Sequence, residues 1–355
     1  MTAPRKPVET WHFEEPVLRP GSVLLETVAS EVCGTDVHLH HGRLSGVPYP
    51  IVPGHVSVGR VLELRGVASD ATGARLEPGD LVTFYDVHEV CGSCWHCLVA
   101  RQPNRCPSRR VYGITYSARD GLLGGWAERI ELKPGVRVLK LPPEISADDF
   151  IGGGCGLVTG FAAVERSGLA MGDAVVVQGA GPVGLAAAAW AALRGAGLVA
   201  VIGAPASRLD LARALGADVT IGLEGTSAER LQRVRDLTGG RGADVVIEAT
   251  GNQQAVAEGL QLLRDGGTYV VAGHYTDTGD VSLNPHLDLN AKHADVRGQW
   301  GTDFHHWHGA LRLLAKHHER LPLARSIGAR YPLERANEAL ADVEAMRVTK
   351  AVITP

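Results

Sequence analysis

The sequence predicts an α/β fold in which a doubly wound parallel sheet follows a smaller β-rich region, and three observations carry that expectation. Short apolar runs alternate with helical segments from about residue 173 to 298. A glycine-rich turn, Gly179-Ala180-Gly181-Pro182-Val183-Gly184, stands between the first of those runs and the first of those helices. Upstream, residues 8 to about 85 read as β-rich and are punctuated by Pro-Gly pairs.

The apolar runs are 174–178 (AVVVQ), 198–203 (LVAVIG), 218–222 (DVTIG), 244–250 (DVVIEAT), 268–273 (TYVVAG) and 294–298 (ADVRG). Between them, 207–215, 227–237 and 253–263 have helical periodicity. Strands this continuously apolar fit a sheet covered on both faces. Earlier in the chain, VLLETVAS and SVGRVLELRG read as strands, with Pro20-Gly21, Pro53-Gly54 and Pro78-Gly79 as turns. Residues 86–125, polar and rich in Cys, Arg and Gly, form an irregular lobe, after which GGWAERIEL returns to strand character. Beyond residue 298, GALRLLAKHH and ERANEALADVEAM predict helices and KAVITP a final strand. There is no internal repeat.

A length of 355 residues predicts about two domains. Apolar residues make up 45% and charged residues 21%, an ordinary globular balance. A net charge of -4 argues against a nucleic-acid partner, which needs a basic surface. The start, MTAPRKPVETWHF, has no signal-like apolar run, and the longest helical apolar stretch, 185–193, is too short to span a bilayer. The expectation is a cytoplasmic protein without a membrane partner.

The glycine turn follows a strand and opens a helix, the context that gives a G-x-G-x-x-G motif its meaning. Gly179 permits the tight turn, Gly181 admits a pyrophosphate to the backbone, and Gly184 lets helix and strand approach. Pro182 suits the first helical position, and Val183 continues the turn whose amides and helix dipole stabilise phosphate. An acidic residue normally follows about 20 positions later to bond the adenosine ribose. None lies between Gly184 and Asp210; the strand end reads Ile202-Gly203-Ala204-Pro205-Ala206-Ser207-Arg208. Nothing there repels a 2′-phosphate, and Ser207 and Arg208 are placed to contact one, so the choice leans to NADP over NAD. Arg208 on the adenine, or in solvent, is the other reading. Thr250 and Gly273, at the carboxyl ends of two later strands, complete the expected cofactor-facing set.

The chain has six cysteines, and in a reducing compartment clustered cysteines bind metal or do chemistry more often than they pair. Cys91, Cys94, Cys97 and Cys106 form C-x2-C-x2-C-x8-C, a spacing suited to a closed tetrahedral structural zinc. A nucleic-acid zinc ribbon, favoured by Arg101, Arg105, Arg109 and Arg110, is outweighed by the cofactor pattern of the rest. The other two lie apart, Cys33 in Glu31-Val32-Cys33-Gly34-Thr35-Asp36-Val37-His38 and Cys155 in Gly154-Cys155-Gly156-Leu157-Val158-Thr159-Gly160. His55 stands in Pro53-Gly54-His55-Val56-Ser57-Val58-Gly59. A catalytic zinc takes three protein ligands and keeps one open position; two thiolates and an imidazole neutralise it and leave a Lewis acid.

With these motifs in this order, the sequence resembles the zinc-containing medium-chain dehydrogenase family, which includes alcohol, polyol and threonine dehydrogenases. The resemblance runs from Pro16 to the terminal KAVITP. It implies a GroES-like catalytic domain at 1–150 with the zinc lobe at about 88–110, a Rossmann cofactor domain at 151–297, and a return to the catalytic domain at 298–355. It further implies Cys33, His55 and Cys155 as catalytic zinc ligands, Asp36 as the carboxylate orienting His55, Thr35 and His38 as a proton relay, and Thr159 beside the nicotinamide. Two zinc ions per chain, NAD(P), a small alcohol or carbonyl substrate and a homodimer or homotetramer follow from the same likeness. Three features depart from the family pattern. Val56 stands where a Glu usually follows the ligand histidine, the Cys97–Cys106 interval is one residue longer, and a first strand is missing.

The expected reaction is hydride transfer between a secondary or polyol-like alcohol and NAD(P)+, with the proton leaving through Thr35, the cofactor ribose and His38. Tyr275, Trp300, Phe304 and Trp307, with His274, His305, His306 and His308, are either substrate-cleft walls or ordinary core, and Trp126 is another possible wall. The alternative on the same fold is an epimerase, lyase or dismutase that recycles its cofactor internally.

Overall fold

The computed structural model describes residues 1–355 and divides them into two compact units. The first comprises Met1–Gly154, Asp303–His318 and Leu323–Pro355; the second comprises Cys155–Thr302 and Glu319–Pro322. No helix is long and apolar enough to cross a membrane.

In the first unit the chain runs through β1 (Val23–Val32), α1 (Gly34–His40), β2 (Ser57–Leu64) and β3 (Leu81–Phe84). The lobe follows, with β4 (Val87–His88), α2 (Trp95–Leu98) and β5 (Arg110–Val111), and then β6 (Arg129–Leu132) and β7 (Val138–Lys140). The expectation of strands from residue 8 is not met, because residues 1–22 hold no strand or helix. Pro7, Pro16 and Pro20 remove backbone donors there.

Helix α3 (Ala147–Ser167) carries the chain to the second unit and is interrupted at Gly154, whose φ of 53° and ψ of -140° are not helical. The second unit continues with β8 (Ala174–Gln178), α4 (Pro182–Arg194), β9 (Leu198–Ile202), α5 (Ala206–Ala214), β10 (Val219–Ile221) and α6 (Ser227–Leu237). After them come β11 (Ala243–Glu248), α7 (Gln253–Leu262), β12 (Leu263–Val271) and β13 (Asp295–Gly298). The chain re-enters the first unit with α8 (Phe304–His317), β14 (Ile327–Tyr331), α9 (Ala336–Glu344) and β15 (Lys350–Ile353).

The first unit's sheet has the order β14-β15-β1-β2-β3-β7, with β6 also on β1. Strand β1 pairs with β2, β6 and β15, and nearly all its residues are buried, the polar Thr27, Ser30 and Glu31 among them. One core layer gathers Leu25, Val82, Phe84, Tyr112, Ile130 and Leu132; another gathers Leu39, Ile51, Trp126, Ala339 and Ile353. Each valine, leucine, isoleucine or phenylalanine among them contributes about 1.5–3 kcal/mol on burial.

The second unit's sheet is parallel throughout, in the order β10-β9-β8-β11-β12-β13. The order reverses between β8 and β11, so the crevice beyond the carboxyl ends of those two strands is the topological switch point, where such sheets bind ligands. Register aligns Gln178 with Ile202 and Glu248, and Glu248 with Val271, on that edge. The predicted strands and helices fall close to these elements. Three helices, α1, α2 and α3, escaped the periodicity reading, α2 having only four residues. Helix α1 has only seven residues and depends on a capping box between Cys33 and Asp36. Helix α3 contains the run GGGCG, which reads against helix.

Candidate metal centres and cofactor site

Among the groups of side chains whose donor atoms lie close enough to share one ion, two contain all six cysteines. In the lobe, ligand atoms of Cys91, Cys94, Cys97 and Cys106 all lie within 4.8 Å of one another. Gly92, at φ 65°, turns the chain so that amides face sulfur. The Cys94 amide donates to Cys91 Sγ at 3.3 Å, and the Cys91 amide to Cys106 Sγ at 3.3 Å. Hydrogen bonds from Ser93, and then Cys94, draw the Cys91 thiol down to about 6, whereas burial pushes Cys97 up to about 12. Four convergent sulfurs with amide support are the donor set of a closed tetrahedral zinc site. The eight residues between Cys97 and Cys106 accommodate Arg101 at φ 53° and a 3-10 turn at Pro103–Arg105.

The second group unites Cys33, His55, Cys155 and Glu31, again with all ligand atoms within 4.8 Å of one another. Cys33 caps α1, accepting the Thr35 amide on Sγ at 3.3 Å. Cys155 is one peptide bond past Gly154, and the preceding Gly153 carbonyl is held by Lys350 Nζ at 3.2 Å. Two sulfurs and an imidazole fit a zinc ion electrically and sterically.

Asp36 is fully buried. Its Oδ2 accepts the Cys33 amide at 2.9 Å, while its Oδ1 has no hydrogen-bond partner. Burial pushes its pKa up and nearby His55 pulls it back. Asp86, also buried, is pushed up to about 6 by burial, again opposed by His55. Thr35 and His38 lie three residues apart on α1, hence on one face, and both are partly buried. Burial lowers the His38 pKa, with Arg43 and His41 adding to it.

On the second unit's carboxyl edge, Gly179 has φ 114°, and a Cβ there would lie 2.9 Å from the Ala249 carbonyl. A Cβ on Gly184 would overlap the Gly179 carbonyl oxygen. Gly181 differs from both: its φ of -78° suits any residue, and a Cβ would meet nothing within 4 Å. No protein contact requires glycine at 181, and the space beside it is open. Pro182 is the first residue of α4 and Val183 the second, so free amides of α4 face the same space.

The second half of α3 packs on this helix through two glycines. A Cβ on Gly156 would lie 2.6 Å from the Pro182 carbonyl carbon, and one on Gly160 2.6 Å from the Ala187 amide. Cys155 and Thr159, four residues apart, occupy one face of α3 beside the glycine turn. Gly203 closes the end of β9 against Ala180, where a Cβ would come within 2.8 Å of the Ala180 Cβ. Ser207 is exposed at the start of α5, whereas Arg208 is buried, and burial lowers its pKa. Its placement rules out the solvated-face reading.

Sequence reasoning did not single out Glu248. This fully buried carboxylate ends β11 and accepts the Thr250 amide at 2.5 Å, the Thr250 hydroxyl at 2.7 Å, the Gly251 amide at 2.7 Å and the Gly273 amide at 3.0 Å. It thereby ties together the two loops that carry Thr250 and Gly273. The signal was present, since a lone carboxylate closing an apolar strand must find donors.

The aromatic group at 275–307 divides. Tyr275 and Trp300 stack in the second unit at 5.5 Å and 11°. Trp307, 2% exposed, packs against Tyr85 and Phe150 in the first unit, with Phe304 also on Tyr85. His306 closes a capping box with Asp303 at the start of α8. Trp126 is buried and donates to the Glu31 carbonyl at 3.1 Å. Trp307, His306 and Trp126 therefore have structural work.

Residues 19–143 match the family described as alcohol dehydrogenase GroES-like domain, and 182–316 match zinc-binding dehydrogenase. The chain is 35% identical over 351 residues to 5-exo-hydroxycamphor dehydrogenase of Pseudomonas putida, covering 98% of this chain and 95% of that one. It is 31% identical over 339 residues to erythritol/L-threitol dehydrogenase of Mycolicibacterium smegmatis, with coverage of 92% and 88%. Among solved structures, an alcohol dehydrogenase from Thermotoga maritima superposes with a TM-score of 0.94 at 35% identity, covering 100% of this chain and 97% of the other. A zinc-binding dehydrogenase from Sinorhizobium meliloti, bound to NADP, matches at TM-score 0.82 and 26% identity, with coverage of 96% and 94%. The chain belongs to the zinc-containing medium-chain dehydrogenase family and is an NAD(P)-dependent alcohol oxidoreductase.

Proposed function

We propose that Cys33, His55 and Cys155 hold a catalytic zinc, that Cys91, Cys94, Cys97 and Cys106 hold a structural one, and that the enzyme interconverts a secondary or polyol-like alcohol and its carbonyl. The observation that carries this reading is the convergence of two thiols and an imidazole, from positions 33, 55 and 155, on one point. When bound, zinc supplies a Lewis acid that acidifies the alcohol, and NAD(P)+ supplies the hydride acceptor. The open turn at Gly181 would admit the dinucleotide diphosphate, and Thr159, one helical turn from Cys155, would border the nicotinamide. Asp36 Oδ1 accepts a ring N–H of His55 once the ring is fixed, which sets its tautomer. Thr35 would take up the substrate proton, and His38, whose pKa burial lowers so that it is a neutral acceptor at pH 7, would receive it.

The absence of a carboxylate after Gly203, together with Arg208 at the start of α5, supports NADP over NAD. Relatives named for 5-exo-hydroxycamphor, erythritol/L-threitol and L-threonine support an alcohol as substrate. Two thiol clusters with no disulfide fit a reducing compartment, the cytoplasm in our reading, and the family resemblance favours a homodimer or homotetramer.

The test is an alcohol panel run with NAD+ and NADP+ alongside zinc analysis of wild type and Cys155→Ala. Two zinc ions in wild type, one in the variant, and net NADPH formation by wild type only are expected. One zinc in wild type, or two in the variant, refutes the assignment. Turnover without net reduced cofactor would instead favour an internally recycled cofactor.

A further inference from the structure

The metal group at Cys33, His55 and Cys155 has a fourth member, Glu31, that the three-ligand reading leaves unused. Glu31 is 0% exposed, and its Oε1 lies 3.9 Å from His55 Nε2. Its Oε2 pairs with Lys350 Nζ, on a side chain itself 1% exposed. Lys350 also donates to the Gly153 carbonyl at 3.2 Å. A buried ion pair carries a desolvation cost that its own attraction does not reliably repay, so a charged pair set against a metal site calls for a reason.

The backbone supplies one. The Glu31 amide donates to the Val56 carbonyl at 3.1 Å, one step from the Ser30–Ser57 pairing of β1 with β2. Val56 is buried and apolar at the position directly after His55, where the resemblance leads one to expect a glutamate. The carboxylate missing from one strand is thus present on the residue bonded to it across the ladder. Two residues before Cys33, it also shares that residue's side of the chain. Room for it is made at Gly154: at φ 53° a side chain is strained, and a Cβ would overlap both Glu31 Oε2 and Lys350 Nζ.

We propose that Glu31 is an exchangeable ligand of this metal ion, and that Lys350 is the competing partner that draws it away. The inference rests on the reading of residues 33, 55 and 155 as a zinc site. Two thiolates and a neutral imidazole balance a divalent cation. A carboxylate added to that set carries one negative charge, which the adjacent ammonium compensates whether Glu31 leans to the metal or to Lys350. With Glu31 on Lys350 the fourth position is open to substrate; with Glu31 on the ion that position is closed, and a departing ligand is replaced without leaving the metal short.

The two partners then affect the metal in opposite directions, which a merely structural ion pair does not do. Full-length protein loaded with cobalt at this site, with zinc in the lobe, is followed by its visible spectrum and by the rate of cobalt loss to EDTA. Glu31→Gln is expected to speed metal loss by about 10–100-fold, the range seen when groups supporting metal ligands are removed. Lys350→Met is expected to slow it and to blunt the spectral response to added imidazole as an external ligand. Because either single change leaves a buried charge, the double variant Glu31→Gln/Lys350→Met, which removes both, must behave like Glu31→Gln, with circular dichroism confirming the fold. Wild-type metal loss and spectrum in the double variant, or faster loss in Lys350→Met, would overturn the proposal. Cobalt retained at this site by Cys155→Ala would overturn the site reading, and this inference with it.

Discussion

Replacing Gly181 by alanine separates a glycine kept for the fold from one kept for a ligand. Its backbone sits at φ -78° and ψ 176°, where alanine is at ease, and a methyl there meets no protein atom within 4 Å. The folded state therefore accommodates the change, while the unfolded chain loses freedom, a gain of about 0.4–1 kcal/mol. For a unit of this size the gain raises the melting temperature by about 1–4 °C. Cofactor binding moves the other way. The methyl enters the space that amides of α4 present to a diphosphate, and a misfit of one methyl in a packed contact costs about 1–3 kcal/mol. That is roughly a 5- to 150-fold rise in Kd. Calorimetric titration with NADP+ and NAD+, beside a thermal melt, reads both quantities. Gly184→Ala is the control, because its methyl would overlap the Gly179 carbonyl oxygen and must lower the melting temperature. Unchanged cofactor affinity in Gly181→Ala, or a melting temperature several degrees lower, would refute the assignment of this turn to the dinucleotide.

Cys94→Ser should release one zinc per chain and lower the melting temperature, since structural zinc contributes folding free energy directly; metal analysis showing two zinc ions retained would count against the lobe site. His38→Gln should lower turnover towards the range of about 10²–10⁴-fold typical of a lost acid–base group, with zinc content unchanged, and stopped-flow rates equal to wild type would remove His38 from the relay. Asp70 provides a pH test away from either metal group. Burial opposes its ionisation, but the Thr72 hydroxyl and the Lys140, Thr72 and Ala74 amides outweigh it and hold its pKa below the usual 3.8. Its contribution to stability is full above that unfolded value and is lost as pH falls through the depressed folded one. Asp70→Asn should therefore flatten the acid limb of urea-unfolding stability below about pH 4, whereas an unaltered limb would show that Asp70 does not govern it.

The parallel sheet was legible because its determinants are local. Runs such as AVVVQ and DVVIEAT declare buried strands, and 227–237 marks a helix that the structure reproduces as Ser227–Leu237. The lobe was legible for the same reason, since four cysteines within sixteen residues can meet without help from the rest of the chain. Helix α1 was not, because seven residues have no periodicity to read and the helix depends on a thiol cap. The burial of Arg208 was equally hidden, as position 208 looks solvent-facing until α5 is laid on its neighbours.

Spacing and residue type in the chain sufficed for the family, the glycine turn after β8 and the clustering of the four lobe cysteines, because those features act over a few neighbouring residues. Folding settled what depends on distant partners. Glu31 meets Lys350, 319 positions away, and lies across the ladder from Val56; Glu248 gathers donors from two loops; Trp307 turns into core. A side chain buried with a charge or an unpaired polar group has its role set by whatever the fold brings within a few ångströms, and sequence separation carries no record of that distance.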